Sequence, residues 1–511
     1  MPKCKINGQE VEVEAGTTII EAFKKLDQDI AHYCWHPGLS VAGVCRLCMV
    51  QIEGNPRMQI ACNTVVQEGM VVSNQTEDVK KTVKWGLDFH LINHPLDCPI
   101  CDQAGECQLQ IQYMKFGQYD PEMAERKVKK RKVVDLGPKI VLDTERCILC
   151  SRCVRFTNEV SETHELGIFN RGDRSEIGTF KDKPLDNPYS MNTVDICPVG
   201  ALTSKDFRFR QRVWYLKHKR SVCNGCSTGC NVDLYYNEEG LFRVKPVFNE
   251  NVNGYWMCDH GRDVYKFVNK DHRLETGLDF QSGQWVEEKA GALAKKWSEE
   301  LSANTNTAVV VTGQYTNEEY ESFFDFVKET LKTDQVYHWK NNPSTFEDFD
   351  GKLIRGDKNP NTKGLFEAMD KYGFRRPWSE LAQQVESQKI DVLVVAGPEN
   401  LDVFPELNEK IDLFSKVKKV IWLGAPDLKE KKDKLKASFI PLKTFAEKEG
   451  TFINAQGDSQ KIQRVTTVVK GALTLSEAAQ LLSGKEVEFK MPVADYNKIK
   501  TNYFTMERGS L

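Results

Sequence analysis

Cys147-Ile148-Leu149-Cys150-Ser151-Arg152-Cys153 sets three thiols at C-x2-C-x2-C spacing, and a remote Cys197, followed by Pro198, is the candidate fourth. A tight loop wraps one side of an iron–sulfur cube and a distant cysteine closes it, so the run reads as a [4Fe–4S] site. Structural zinc is the competing chemistry, although zinc ribbons usually pair one C-x2-C with another. Three more sets accompany this one. Cys34, Cys45, Cys48 and Cys62 follow C-x10-C-x2-C-x13-C, with Gly38 and Gly43 in the loop. Such a glycine-bearing loop lets backbone N–H groups face the sulfides of a [2Fe–2S] cluster. His94, Cys98, Cys101 and Cys107 give H-x3-C-x2-C-x5-C. His94 is the candidate fourth ligand because three cysteines need one and no spare cysteine lies nearby, whereas His90 reads as structural. Cys223, Cys226 and Cys230 with Cys258 repeat the pattern of one loop closed by a distant residue. Zinc stays open for the Cys34 and Cys223 sets on spacing alone. Cys4 fits none of the spacings and reads as a buried strand thiol.

The elements that position these residues are short. Residues 3–6 and 9–13 alternate around Asn7-Gly8, which favours a type I′ hairpin. Thr18 and Glu21 form a capping box ahead of a helix carrying Ile19, Ile20, Phe23 and Leu26. A strand near 49–53, a turn at Gly54-Asn55-Pro56 and a strand ending at Cys62 follow. Val79, Val83, Leu87 and Leu91 recur at helical spacing from about Thr76 to His94-Pro95. The basic run Arg126–Lys132 reads either as a solvated loop or as a docking surface for an acidic partner. Residues 154–196 read as a loop-rich excursion. Beyond the last set, apolar strands near 308–312, 391–396 and 419–424 alternate with helical stretches such as Glu318–Leu331, which predicts α/β structure with a parallel sheet.

All 16 cysteines of the 511 residues lie at or before Cys258, so a metal-rich front precedes a metal-free back. A chain this long calls for three or four domains. Lys+Arg 70 against Asp+Glu 73 gives a net charge of −3, which argues against a nucleic-acid or anionic-membrane partner. No apolar run reaches the roughly 18 residues of a membrane span, and the first residues lack a signal peptide's apolar core. The expectation is a soluble or peripheral protein. The back half shows no G-x-G-x-x-G after a strand, no P-loop, no H-E-x-x-H and no Ser/His/Asp set.

The four sets in this order include Cys34-Trp35-His36-Pro37-Gly38 and Gly43-Val44-Cys45-Arg46-Leu47-Cys48, then His94 with its cysteines, then Cys147 to Arg155. They resemble the iron–sulfur G-subunit family of bacterial respiratory NADH:quinone oxidoreductase (complex I) over about residues 1–270. Phe445 to Gly457 resembles a turn of molybdopterin oxidoreductases. The resemblance implies an α+β front, with a β-grasp [2Fe–2S] domain (1–78), a [4Fe–4S] domain with one histidine and three cysteine ligands (79–118), a ferredoxin-like [4Fe–4S] domain (119–215) and a third [4Fe–4S] domain (216–272). A degenerate molybdopterin-oxidoreductase-like α/β region (273–511) follows. It implies that Cys34, Cys45, Cys48 and Cys62 bind [2Fe–2S], while His94, Cys98, Cys101 and Cys107 bind one cube. Cys147, Cys150, Cys153 and Cys197 bind a second, and Cys223, Cys226, Cys230 and Cys258 match a cube that only some bacterial members carry. Molybdenum enzymes place a cysteine or selenocysteine ligand after the corresponding cluster, and no cysteine follows Cys258. The expectation is a scaffold without molybdenum cofactor, shorter than is usual in the family.

The implied role is electron entry from a flavin-bearing NADH-oxidising partner, passage through the [2Fe–2S] and the Cys147 and His94 cubes, and exit through quinone-side iron–sulfur partners. The Cys223 cube is expected to lie off that line. The chain is then a peripheral subunit on the cytoplasmic face of the bacterial inner membrane, meeting the membrane only through partners and holding no complete active site. The alternatives are a subunit of an NAD-linked hydrogenase or formate dehydrogenase, and a zinc-stabilised scaffold.

Overall fold

Asn7 and Gly8, at φ 49° and 86°, turn the chain between β1 (Lys3–Ile6) and β2 (Gln9–Glu12), the left-handed pair that a type I′ hairpin needs. Thr18 caps α1 (Ile19–Lys25), whose Glu21 carboxylate accepts from the Thr18 N–H at 2.8 Å. With β3 (Met49–Ile52), β4 (Gln59–Ile60) and β5 (Met70–Ser73) the strands form a sheet in order β2-β1-β5-β3-β4, β1 and β5 running parallel. Ile19, Ile20, Ala22 and Phe23 of α1 are buried in the same core as Ile6, Val50 and Val72. The computed structural model describes residues 1–120, 122–180, 183–301 and 306–487, so the 488–511 end of the expected back region lies outside the described residues.

Next comes α2 (Glu77–Leu91), capped by the Thr76 hydroxyl and burying Val79, Val83 and Leu87, the face its spacing predicts. It stops three residues short of His94. α3 (Gln108–Phe116) starts directly after Cys107. The following layer holds β6 (Val134–Asp135), β7 (Ile140–Leu142), α4 (Arg152–Glu159), β8 (Leu166–Phe169), β9 (Glu176–Thr179), α5 (Asn192–Asp195) and β10 (Leu202–Ser204). The stretch 154–196 is thus more ordered than expected. Its β8–β9 hairpin pairs four residues a side around buried Leu166 and Ile177, too short a run for alternation to stand out in the sequence. An antiparallel meander of β11 (Lys217–Val222), β12 (Asn231–Asn237) and β13 (Gly240–Pro246), then α6 (Asp259–Asp263), completes the front.

The back is built on β14 (Gly277–Gln281), β15 (Gln284–Glu288), β16 (Thr307–Val311), β17 (Val336–His338), β18 (Val392–Ala396), β19 (Lys419–Gly424) and β20 (Ser438–Pro441), ordered β15-β14-β20-β19-β18-β16-β17. The β20-β19-β18-β16-β17 part is parallel, as the apolar strands predict; the antiparallel β14–β15 edge is an addition to the predicted sheet. Successive side chains of a strand leave opposite faces. Val309 and Val311 accordingly join one core with the helices Ala290–Leu301, Asn317–Phe326, Thr362–Tyr372 and Leu475–Leu482. Ala308 and Val310 join another with the helices Trp378–Glu386 and Leu407–Phe414. Each fully buried Val, Leu or Ile contributes about 1.5–3 kcal/mol, so burial on both faces makes apolar packing the main stabiliser of this layer. The predicted helix Glu318–Leu331 is α only to Phe326, and Val327–Leu331 winds as a π turn ending at left-handed Lys332. β21 (Gly450–Ile453) and β22 (Ser459–Ile462) pair beside it. Among the described residues no helix is long and apolar enough to cross a membrane.

Candidate functional site

Residues in left-handed backbone stand beside the thiols in their loops. Gly43 (φ 64°) and Arg46 (φ 55°) shape the loop before Cys48, and Leu149 (φ 54°) and Ser151 (φ 60°) shape the Cys147 loop. For branched or charged side chains this conformation is strained and persists only where the surroundings fix it. In the Cys34, Cys147 and Cys223 sets a backbone amide faces sulfur, and of these donors Leu149 is itself left-handed. Leu149 N–H donates to Cys147 Sγ at 3.4 Å, Tyr33 N–H to Cys45 Sγ at 3.4 Å, Gly225 N–H to Cys223 Sγ at 3.4 Å and Gly261 N–H to Cys258 Sγ at 3.3 Å.

Each predicted set is brought together. Cys34, Cys45, Cys48 and Cys62 are all at most 7% exposed, and the charge states of Cys34 and Cys45, and of Cys48 and Cys62, depend on each other. In each pair one thiol, Cys34 or Cys62, is drawn toward thiolate by its neighbour and the other, Cys45 or Cys48, is pushed up. Cys147, Cys150, Cys153 and Cys197 line one small apolar cavity. Burial pushes the Cys147 thiol up to about 12 and the Cys150 thiol up to about 11, and raises Cys153 and Cys197 as well. His94, Cys98, Cys101 and Cys107 line a second cavity of about 310 Å³. In the fourth set the Cys223 N–H donates to the Cys230 carbonyl at 2.8 Å, and burial raises Cys223, Cys230 and Cys258, with the other thiols of the set adding to it. Among the described residues no three His, Cys, Asp or Glu side chains close on a single-ion position.

The donor chemistry fits iron–sulfur clusters. Buried thiols raised by desolvation need a cationic iron core to ionise, and aimed amides stabilise the resulting sulfur charge. His94 is pushed down to about 4, by burial first and by the charges of Arg146 and Lys127 next, so its imidazole is neutral at physiological pH and able to ligate. Its Nδ1 is buried with no hydrogen-bond partner. Two glycines complete the cradles: a Cβ at Gly200 would stand 2.2 Å from Cys101 Sγ, and one at Gly261 would stand 2.9 Å from Cys223 Sγ.

Contacts string three of the sets in a row. Arg152 donates to the Trp35 carbonyl at 2.6 Å and to the Ile196 carbonyl at 3.1 Å, joining the residue after Cys34 to the residue before Cys197. Arg155 donates to the Cys34, Ser40 and Cys150 carbonyls. On the other side of the Cys147 set, Gln108 N–H donates to the Pro198 carbonyl at 2.9 Å and Gly200 lies on Cys101, so the loop after Cys197 walls the His94 set. The Cys223 set sits apart, between α5 and the back half. Ser190 donates to Asp259 at 2.7 Å and Asn192 to the Met257 carbonyl at 2.8 Å. On the far side Asn224 donates to Glu399 at 3.1 Å, Ser227 N–H to the Asp357 carbonyl at 3.0 Å and Ala455 N–H to the Ser227 carbonyl at 2.8 Å.

Several expectations change or sharpen. The basic run is a loop with Arg126, Lys129, Arg131 and Lys132 exposed, as the solvated-loop reading has it, and ion pairs and hydrogen bonds tie it down. Lys127 donates to the Leu91 carbonyl at 2.7 Å, Lys132 meets Asp97 at 2.5 Å and Glu145 at 3.0 Å, and Arg131 meets Glu176 at 2.9 Å. These contacts hold the segments around His94. His90 Nδ1 bonds the Gly86 carbonyl at 2.7 Å and its ring meets Tyr33 edge-on, a structural role as read. Cys4 is a buried strand thiol, 2% exposed. Sequence reasoning missed Arg152, Arg155 and the buried triad in which Lys448 meets Glu399 at 2.7 Å and Glu319 at 2.8 Å. For Lys448 the 445–457 segment was a signal; for the arginines only their place beside the cysteines was.

Four families match the front. Residues 3–77 match the 2Fe-2S iron-sulfur cluster binding domain, and 86–121 the NADH-ubiquinone oxidoreductase-G iron-sulfur binding region. Residues 137–203 match the ferredoxin-like domain of NADH-quinone oxidoreductase subunit 3, and 216–270 the molybdopterin oxidoreductase Fe4S4 domain. The G subunit of NADH-quinone oxidoreductase from Rickettsia bellii is 38% identical over 305 residues, 59% of this chain and 43% of that one. Its counterpart from Streptomyces coelicolor is 36% identical over 65% of this chain and 40% of its own length. The mitochondrial NADH dehydrogenase [ubiquinone] iron-sulfur protein 1 of Solanum tuberosum is 41% identical over 55% of this chain and 38% of its own length. The matched part therefore spans about two fifths of these relatives. A chain of an NAD+-reducing [NiFe]-hydrogenase aligns with 42% of this chain at 29% identity and a TM-score of 0.38.

Proposed function

We infer, from a front half homologous to the G subunit of NADH-quinone oxidoreductase, that this chain is the electron-relay subunit of such a complex. It takes electrons from a flavin-bearing NADH-oxidising partner and delivers them toward quinone through further iron–sulfur partners, sitting peripherally on the cytoplasmic membrane face. The observation that carries the reading is the row of three donor sets joined by Arg152, Arg155 and the Pro198–Gly200 loop. We assign Cys34, Cys45, Cys48 and Cys62 to a [2Fe–2S] cluster. His94, Cys98, Cys101 and Cys107 take one [4Fe–4S], Cys147, Cys150, Cys153 and Cys197 a second, and Cys223, Cys226, Cys230 and Cys258 a third, in domains 1–78, 79–118, 119–215 and 216–272. Such clusters, when bound, supply one-electron chemistry without ligand exchange.

The chain's own residues set the conditions for that chemistry. The Leu149, Tyr33, Gly225 and Gly261 amides hold charge on sulfur, and burial keeps water from it. His94 replaces a thiolate by a neutral donor, which removes one negative charge at that site. Region 273–511 is read as a scaffold without molybdenum that grips the Cys223 loop through Glu399, Asp357 and Ala455. The test is low-temperature EPR on the assembled complex during NADH reduction. Signals of a [2Fe–2S] and of [4Fe–4S] centres in this chain should appear with NADH as the only reductant; a chain that NADH leaves silent while dithionite reduces it would contradict the reading.

A further inference from the structure

Arg152 is 3% exposed, and among the described residues no carboxylate lies within ion-pair reach of it. A guanidinium stays charged in any protein, and a buried charge without a counter-charge is strongly destabilising. Its only hydrogen-bond acceptors among the described residues are the Trp35 and Ile196 carbonyls, and its Nε is buried with no acceptor at all. Its fork spans the residue after Cys34 and the residue before Cys197, and against the burial that disfavours its charge stand the thiols of Cys150, Cys197, Cys34 and Cys45. Two of these belong to the Cys147 set and two to the Cys34 set. The missing counter-charge is thus supplied from both sides, once each site holds thiolates. Arg155, one helical turn on and partly buried, repeats the arrangement through the Cys34 and Cys150 carbonyls, and it too has no ion-pair partner among the described residues.

We propose that Arg152 is a positioning and tuning residue shared by two electron-transfer sites. Its guanidinium is the common counter-charge of the Cys34 and Cys147 sites, raising both reduction potentials together while its fork ties one ligand loop to the other. The inference rests on the iron–sulfur reading of these two sites. Adding one electron to either site adds one negative charge, and a fixed cation in a low-dielectric interior stabilises that charge. Because the cation faces both sites, it moves both potentials in one direction. Arg155 acts in the same sense and more weakly, since solvent screens it.

The experiment is EPR-monitored redox titration of the anaerobically purified, cluster-loaded complex carrying wild-type chain, Arg152→Gln, Arg152→Lys or Arg155→Gln, with iron measured on each. In Arg152→Gln the midpoints of the [2Fe–2S] and of the Cys147 cube both fall, while those of the His94 and Cys223 sites stay in place. Arg152→Lys keeps both near wild type, and Arg155→Gln lowers both by less. Unchanged midpoints in Arg152→Gln, a fall at only one site, or an equal fall in Arg152→Lys would overturn the proposal. If Arg152→Gln loses its iron, Arg152→Lys decides: wild-type midpoints support a charge effect and lowered ones refute it. A wild-type chain without cluster signals would instead overturn the iron–sulfur reading itself.

Discussion

The front, to about residue 270, and the back, from β14 on, bury their interiors by different means. In the back, Val309, Val394 and Ile421 lie at successive positions across a parallel sheet and pack on helices, all at 0% exposure. Apolar area is the main term that holds that layer. In the front, one core mixes Leu47, Leu87 and Leu142 with Cys34, Cys45, Cys107 and Cys153, and the sheets between β5 and β14 have two or three strands each. There the thiols occupy core positions, so whatever they bind is part of the fold. A domain whose core is a metal site gains its stability on binding; one whose core is a sheet does not need it.

Removing the clusters should break the comparison most visibly. Under anaerobic chelation and oxidation, amide exchange protection in β1, β5 and β7 should collapse while β16, β18 and β19 keep theirs; equal losses in both regions would refute the division. Next in size is Lys448→Met, which leaves Glu399 and Glu319 buried without their cation. The expected loss is about 3–5 kcal/mol of back-half stability by urea unfolding. Because Glu399 also holds Asn224, the EPR signal of the Cys223 site should shift and the other three should not.

A smaller effect is set by pH. Burial first, then the charge of Lys340, pushes His338 from 6.5 down to about 3. Between those values the unfolded back binds one proton that the folded back refuses, so stability falls as pH drops, by up to about 1.4 kcal/mol per pH unit. His338→Phe should flatten the acid limb of the unfolding curve between about pH 6.5 and 3. Most local of all, His94→Cys should restore a negative charge and lower the potential of that one site, leaving the others in place; an unchanged potential and EPR signal would count against His94 as ligand.

Much of the site was legible because cluster loops are local. Three donors of each proposed cube sit within a short stretch, so spacing alone picks them out, with a candidate fourth from elimination or from a Cys-Pro. The parallel strands were legible because burial on both faces leaves unbroken apolar runs such as Val392–Ala396. What stayed hidden is long-range. Nothing in the sequence pairs Arg152 with Trp35 or Lys448 with Glu399, because such contacts depend on how separate loops meet in space. The β14–β15 edge escaped because it alternates weakly: Trp285 and Val286 are neighbours rather than separated by one residue. The ties of the basic run stayed hidden for a related reason, since its acidic partners Asp97, Glu145 and Glu176 lie outside it on both sides.

The most direct test of the account is iron, acid-labile sulfide and zinc per chain on anaerobically purified protein. Four loaded sites require about 14 iron and about 14 sulfide, with no zinc. Zinc in place of iron, with no acid-labile sulfide, would contradict it.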